Sequence, residues 1–311
     1  ESATGTPIST DSITLLENKT LYAIWEDTEN IEYLSWWASA VPASGADLVK
    51  KEIWSRDADI VALVSVYSKT ASDLEAYAKS FNYPHCYYEY VTTDSNGDRG
   101  NIILSKFKLE KKGKDGLCYW YDADINGVHV DVYAGYDCNG KQGYIKRNAE
   151  ATGNDFVLLG HTFGADPYTK KFDYGKEIAF CNGASKGWAN IGAVVSLDAW
   201  EVVGTPAPSD VATPVGGNAA VYVCPITVRL KKFTVSFDAN GGYGTMADVV
   251  ANAGSYTLPE NGFLRPGGKV FAGWAESATG TPISTDSITL LENKTLYAIW
   301  EDTENIEYLS W

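Results

Sequence analysis

Residues 1–36, ESATGTPISTDSITLLENKTLYAIWEDTENIEYLSW, recur without a single change at residues 276–311. Divergent copies inside one domain keep similar residues, not long identical runs, so the chain reads as a stretch of something periodic. The displacement is 275 residues, position 276 against position 1, and a tandem array of near-identical units is the organisation it predicts. A permuted chain with duplicated ends would carry the same letters. In either case residues 1–25 are too few to bury a core alone. They need sequence like that preceding their second copy, Phe233 to Ala275.

The rest of the chain is ordinary globular material, 311 residues with 45% hydrophobic and 13% aromatic side chains, enough for two cores. Its 25 basic and 40 acidic residues give a net charge of -15 spread along the whole length. Such a surface repels phosphate backbones and anionic lipid, so no nucleic-acid partner is expected. No run of eighteen apolar residues occurs, so no membrane insertion is expected within this window. The five cysteines, Cys86, Cys118, Cys138, Cys181 and Cys224, show no CxxC or Cys/His spacing. That argues against structural zinc and leaves buried thiols or one or two disulfides as alternatives, with no pairing assignable.

From Phe233 onward the pattern is that of short strands. Phe233, Val235 and Phe237 alternate, Asp238-Ala239-Asn240-Gly241-Gly242 is turn chemistry, and YTLP (256–259), FAGW (271–274) and LYAIW (296–300) follow. FDANGG, YTLPEN, FAGWA and TLYAIW in this order resemble the Listeria-Bacteroides repeat, the B-repeat of internalin-type surface proteins. The resemblance implies a small β-grasp-like module of an exported bacterial protein, with Trp274 and Trp300 as core residues.

Residues 26–231 read differently. Strands are expected at Ile31–Trp37, Ala58–Val66, Cys86–Val91, Asn101–Lys106, Cys118–Asp124, Val128–Ala134, Phe156–Leu159, Ile178–Cys181, Ala193–Val203 and Ala219–Leu230. Val49 and Ile53 mark one helix. Ser72 with Glu75 reads as a capping box opening a second, and Tyr144–Ala151 as a third. ADIVALVSV, a continuous apolar run, suits a strand buried on both faces. Asn126-Gly127 signals a tight hairpin. The same letters, Asp122-x-Asp124-x-Asn126-Gly127, begin a calcium loop, but its twelfth position is Tyr133 where a glutamate is needed.

ADIVALVSV, GNIILSK (100–106), GVHVDVYAG (127–135), LLGHTFGADP (158–167) and PSD (208–210) stand in the order used by the endonuclease/exonuclease/phosphatase superfamily, which this segment resembles. The resemblance implies an α/β fold, a four-layer αββα sandwich, that hydrolyses phosphoesters with Mg²⁺. It also implies where the chemistry should sit. Trp37 replaces the asparagine ending the first strand, and Ser65 replaces the metal-binding glutamate. His161 stands where the GDFN turn has its aspartate, the hairpin histidine falls near Tyr133 or Ala134, and Val211 replaces the last histidine. Asp210 alone keeps its type. A serine hydroxyl has no charge to offer Mg²⁺, which seeks carboxylates and water. Trp37, Ser65, His161, Asp210 and Val211 are therefore vestigial-site positions, and no catalytic residue, cofactor or metal is expected. A shifted site drawn from His129, Asp131, Asp137, His161 and Asp166 is the alternative; otherwise His129 and Asp131, on one face of a strand, form an exposed polar stripe.

The expected organisation is thus residues 1–25, the end of one B-repeat; 26–231, a phosphodiesterase-like domain; 232–300, a complete B-repeat; and 301–311, the start of the next phosphodiesterase-like domain. The expected role is a structural or adhesive repeat of an extracellular or cell-surface stalk, with neighbouring copies as partners and a surface glycan or protein as a further one. The alternatives are a secreted Mg²⁺-dependent nuclease or phosphatase and a glycan- or peptide-binding module.

Overall fold

A computed structural model describes residues 30–38, 46–67, 70–94, 97–136, 138, 141–161, 175–183, 191–211 and 222–302. Residues 1–25, Asp137 and Asp166 lie outside them. The larger part of the chain runs through β1 (Asn30–Trp37), α1 (Ala46–Arg56), β2 (Ile60–Tyr67), α2 (Ala71–Lys79), β3 (His85–Asp94), β4 (Gly97–Ser105), β5 (Leu109–Asp115), β6 (Cys118–Ile125), β7 (Val128–Gly135) and α3 (Gln142–Thr152). It continues through β8 (Asp155–His161), β9 (Ile178–Asn182), β10 (Ile191–Ser196), β11 (Trp200–Val202), β12 (Ser209–Asp210) and β13 (Tyr222–Leu230). One sheet has the order β11-β13-β1-β2-β4-β3, with β12 also on β13, and the other β5-β6-β7-β8-β10-β9.

Within these two sheets, two of the described strand pairs are parallel, β1 with β2 and β7 with β8. A parallel pair needs a crossover, and here each crossover contains a helix, α1 and α3. Val49 and Ile53 of α1 and Leu74 and Ala78 of α2 join the main core, while Ile145 and Ala149 of α3 cover Cys118, Tyr133, Phe156, Leu158 and Val194 on the outer face of the second sheet. The result is the expected four-layer αββα sandwich, its main core between the sheets. The β6–β7 hairpin turns on Asn126 (φ 56°) and Gly127 (φ 83°), with the Gly127 N–H donating to Asp124 Oδ1 at 2.9 Å. The letters shared with a calcium loop are turn chemistry.

Two expectations need correction. The cap of α2 is Thr70, two residues before Ser72, and its hydroxyl accepts from the Asp73 N–H at 3.1 Å, so the helix opens at Ala71. The single strand expected at Ala193–Val203 is two strands in different sheets, β10 beside β8 and β11 beside β13. The buried Asp155 carboxylate breaks it by accepting from Asp198 N (3.0 Å) and Ala199 N (2.7 Å), and from Ser196 Oγ at 2.6 Å. The chain crosses between sheets at that turn.

The remainder comprises β14 (Lys232–Asp238), β15 (Val249–Asn252), β16 (Gly254–Thr257), β17 (Lys269–Ala275), β18 (Ser287–Leu290) and β19 (Lys294–Asp302). A four-stranded sheet of order β15-β14-β19-β17 pairs its first and last strands in parallel, β-grasp-like, and β16 pairs β18. The four sequence motifs meet in its core. Trp274 of FAGW donates to the Pro259 carbonyl of YTLP (2.8 Å), and Trp300 of LYAIW donates to the Ala239 carbonyl of FDANGG (2.9 Å). Phe237, Phe263 and Phe271 pack their rings on Trp274.

Candidate functional site

Both parallel pairs point their carboxyl ends to one end of the sandwich. Trp37 closes β1, and Val64, opposite it in register, leads to Ser65 on β2. His161 closes β8 opposite Ile191, whose carbonyl accepts from Cys224 Sγ across the sheets at 3.3 Å. Asp210 pairs with Tyr222 at the start of β13. The backbones of Trp37, Ser65, His161 and Asp210 thus gather at this end.

Ser65 lies on a β-bulge. The β2–β4 register slips between Leu63↔Ile102 and Val66↔Gly100, so Val64 and Ser65 together face Asn101. Ser65 takes φ +58°, a left-handed conformation uncommon for a side chain other than Asn, Asp or Gly. Its N–H donates to Asn101 Oδ1 at 3.3 Å, so the amide side chain fills the gap that the bulge opens in the ladder. Ser65 Oγ and Asn101 Nδ2 are buried without a hydrogen-bond partner among the described residues. The bulge re-aims residue 65, and the residue so aimed is neutral.

Among the described side chains, the other positions add no metal-binding group beside it. Trp37 is buried, and Val211 joins the main core. Asp210 is exposed, three strand steps from β2 by way of β13 and β1, or roughly 14 Å at 4.8 Å per step. Its backbone carbonyl accepts from Arg56 Nη2 (3.3 Å), which also donates to Ser209 Oγ (3.2 Å). Tyr133 lies on the outer face, against Trp120, Tyr144 and Phe156, and burial pushes its hydroxyl pKa above the ordinary value. Ala134 is in the main core.

The buried carboxylates among the described residues are Glu52, Asp131 and Asp155, and all are engaged elsewhere. Glu52 pairs with Arg56 within α1 (2.7 Å). Asp155 holds the crossing turn at the opposite end of β8. Asp131 lies in β7 near α3, accepting from Thr152 Oγ1 (2.9 Å) and Asn154 Nδ2 (3.2 Å). Burial raises its pKa despite those bonds. His129 is exposed beside Asp122, Nδ1 to Oδ1 3.1 Å. The pair expected as an exposed stripe therefore splits: His129 is exposed and Asp131 fully buried, because α3 and the residues after it cover the inner half of the strand. The residues described at the Ser65 end do not fit a Mg²⁺ ion.

Asn101 was hidden in the sequence. It lies in the GNIILSK run, but only the pairing of β4 with β2 shows that its amide completes the bulge.

Residues 233–299 match the family model of the Listeria-Bacteroides repeat domain. No curated protein matches the chain. Among solved structures, the endonuclease/exonuclease/phosphatase from Bacteroides vulgatus is similar at 12% identity, covering 65% of this chain and 99% of that one, with a TM-score of 0.45. A family protein from Leptotrichia buccalis is similar at 11% identity over 65% of this chain and 99% of its own, TM-score 0.43. TDP2 from C. elegans is similar at 11% identity over 64% and 75%, TM-score 0.43. This chain joins an αββα sandwich to a segment that matches the Listeria-Bacteroides repeat domain. No helix among the described residues is long and apolar enough to cross a membrane.

Proposed function

We propose that the chain is a structural and adhesive repeat of an exported bacterial surface stalk, whose phosphodiesterase-like sandwich serves as a rigid spacer and not as an enzyme. The junctions between modules carry this proposal. Strand β13 ends at Leu230 and β14 begins at Lys232, with Lys231 alone between them. Lys231 N donates to the Ala199 carbonyl (2.8 Å), and its own carbonyl accepts from Ala253 N (2.7 Å), so both modules grip one residue. Lys231 Nζ reaches the Leu197 carbonyl at 2.6 Å, Ala253 is buried in the sandwich core, and Phe233 touches the cores of both modules. At the other end β19 runs to Asp302, and the duplicated sequence sets Asn305 where Asn30 opens β1. A strand-to-strand link of one residue leaves little room for bending, and neighbouring copies are the partners this implies.

Support for a non-catalytic sandwich comes from the hydroxyl at residue 65, aimed by a bulge that offers no charge. A repeat of this family supports placement at the cell surface or outside the cell, where many copies of one weak contact to a glycan or protein would gain avidity. The test is hydrolysis of DNA and of a generic phosphodiester with Mg²⁺ or Mn²⁺. No turnover above the protein-free rate is expected; turnover abolished by Asp210→Ala would establish a secreted nuclease or phosphatase in its place.

A further inference from the structure

Two buried cysteines lie in the core between the sheets at the edge strand β9, one on each sheet. Cys181 lies on β9 of one sheet, opposite Ala193, and Cys224 on β13 of the other, opposite Ser35. Both side chains are completely buried. Cys224 Sγ donates to the Ile191 carbonyl at 3.3 Å, and Ile191 opens β10, the strand paired with β9, so the Cys224 sulfur reaches across to the sheet that carries Cys181. Tyr222 of the other sheet packs directly against the residue that follows β9. A Cβ added at Gly183, two residues after Cys181, would come within 2.3 Å of Tyr222 Cε2 and 2.9 Å of the Ile191 carbonyl. Only a residue without a side chain lets β9 come this close to the start of β13. The other cysteines lie elsewhere, Cys86 on β3 and Cys118 and Cys138 in the cluster beneath α3.

We infer that Cys181 and Cys224 are a built redox pair that closes to an inter-sheet disulfide, joining the edge strand of one sheet to the other. All five cysteines are thiols in this structure. The oxidant required is a low-molecular-weight disulfide. One cysteine thiolate attacks it, giving a mixed disulfide and releasing one small thiol. The second cysteine then displaces the other small thiol, so that two electrons and two protons pass from the pair to the oxidant. Hydrogen bonding to Cys181 and burial hold the Cys224 thiol well above its ordinary pKa. Exchange therefore belongs to folding, before the sheets close over the sulfurs. An exported protein folds where such oxidants are present. The inference rests on the proposed export of the chain and not on whether the sandwich is catalytic.

The test refolds the full chain in glutathione disulfide, blocks free thiols with an alkylating reagent in denaturant without reductant, and maps the peptides by mass spectrometry. The expected product is a single cross-linked species joining the Cys181 and Cys224 peptides, two hydrogens lighter than the thiol pair. The oxidised chain should also melt roughly 8–15 °C above the reduced chain, a difference that Cys181→Ala removes. Recovery of both cysteines as alkylated thiols, or of either one linked to a different cysteine, would overturn the inference. Mapping on the natural chain decides the question whether or not the alanine variant folds.

Discussion

Gly254→Ala is the sharpest probe of how the two modules are joined. Gly254 opens β16 at φ +111°, a backbone conformation that side-chain-bearing residues rarely adopt. An added Cβ would stand 2.8 Å from Val128 Cγ2 and 3.3 Å from the Gly127 carbonyl, both on the β6–β7 hairpin of the sandwich. Backbone strain there costs about 1–2 kcal/mol, and pushing a methyl against the hairpin at least about 1 kcal/mol more. Together they weaken the junction by about 3 kcal/mol, a factor of about 150 in the population of the undocked form. Lys231 and Lys232, the junction residues, provide the assay, because trypsin must open the bonds to Ala199 and Ala253 before it can cut there. With cleavage limited by the open population, the rate at this site should rise on the order of 100-fold. Gly267→Ala, where a Cβ meets nothing within 4 Å, should leave it unchanged. Cleavage of the Gly254→Ala chain at the natural rate would refute a junction held by this contact.

Further outcomes follow from the buried carboxylates. Asp155→Ala removes the acceptor for two backbone N–H groups and the Ser196 hydroxyl and leaves Lys176 without its 3.7 Å partner. It should lower stability by about 3–5 kcal/mol in urea unfolding, and a loss below about 1 kcal/mol would contradict the role given to the crossing turn. Burial raises the Asp131 pKa above 3.8 in the folded chain, so the folded state takes up its proton at higher pH than the unfolded state does. This contribution to stability is present below the unfolded pKa and is lost as pH rises through the folded one, the reverse of a salt-bridged aspartate. The stability of the natural chain relative to Asp131→Asn should therefore improve as pH falls from 7 toward 4, whereas a constant gap would show that Asp131 does not titrate in this way.

Much of the architecture was legible in the sequence. ADIVALVSV gave the buried parallel strand, Asn126-Gly127 the hairpin, and four separated motifs the repeat, because each is a local pattern with one structural solution. What was hidden depends on partners far along the chain. LEKKGKD looks like a solvated run, yet it is the edge strand β5, where charge is tolerated because one side of the strand faces no neighbour. The break between β10 and β11 is set by Asp155, more than forty residues away in sequence. Asp131 has the spacing of an exposed residue and becomes buried only when α3 folds over it. At the candidate site the chemistry lost at Ser65 was visible in the sequence, but the bulge, the left-handed backbone and the Asn101 amide that define its geometry were not.

Small-angle scattering from chains of one, two and four consecutive 275-residue units tests the central claim, a stiff array of modules joined strand to strand. Rigid junctions require the radius of gyration to come close to doubling between two units and four. Growth of about 1.4-fold, the square-root dependence of freely jointed segments, would contradict it.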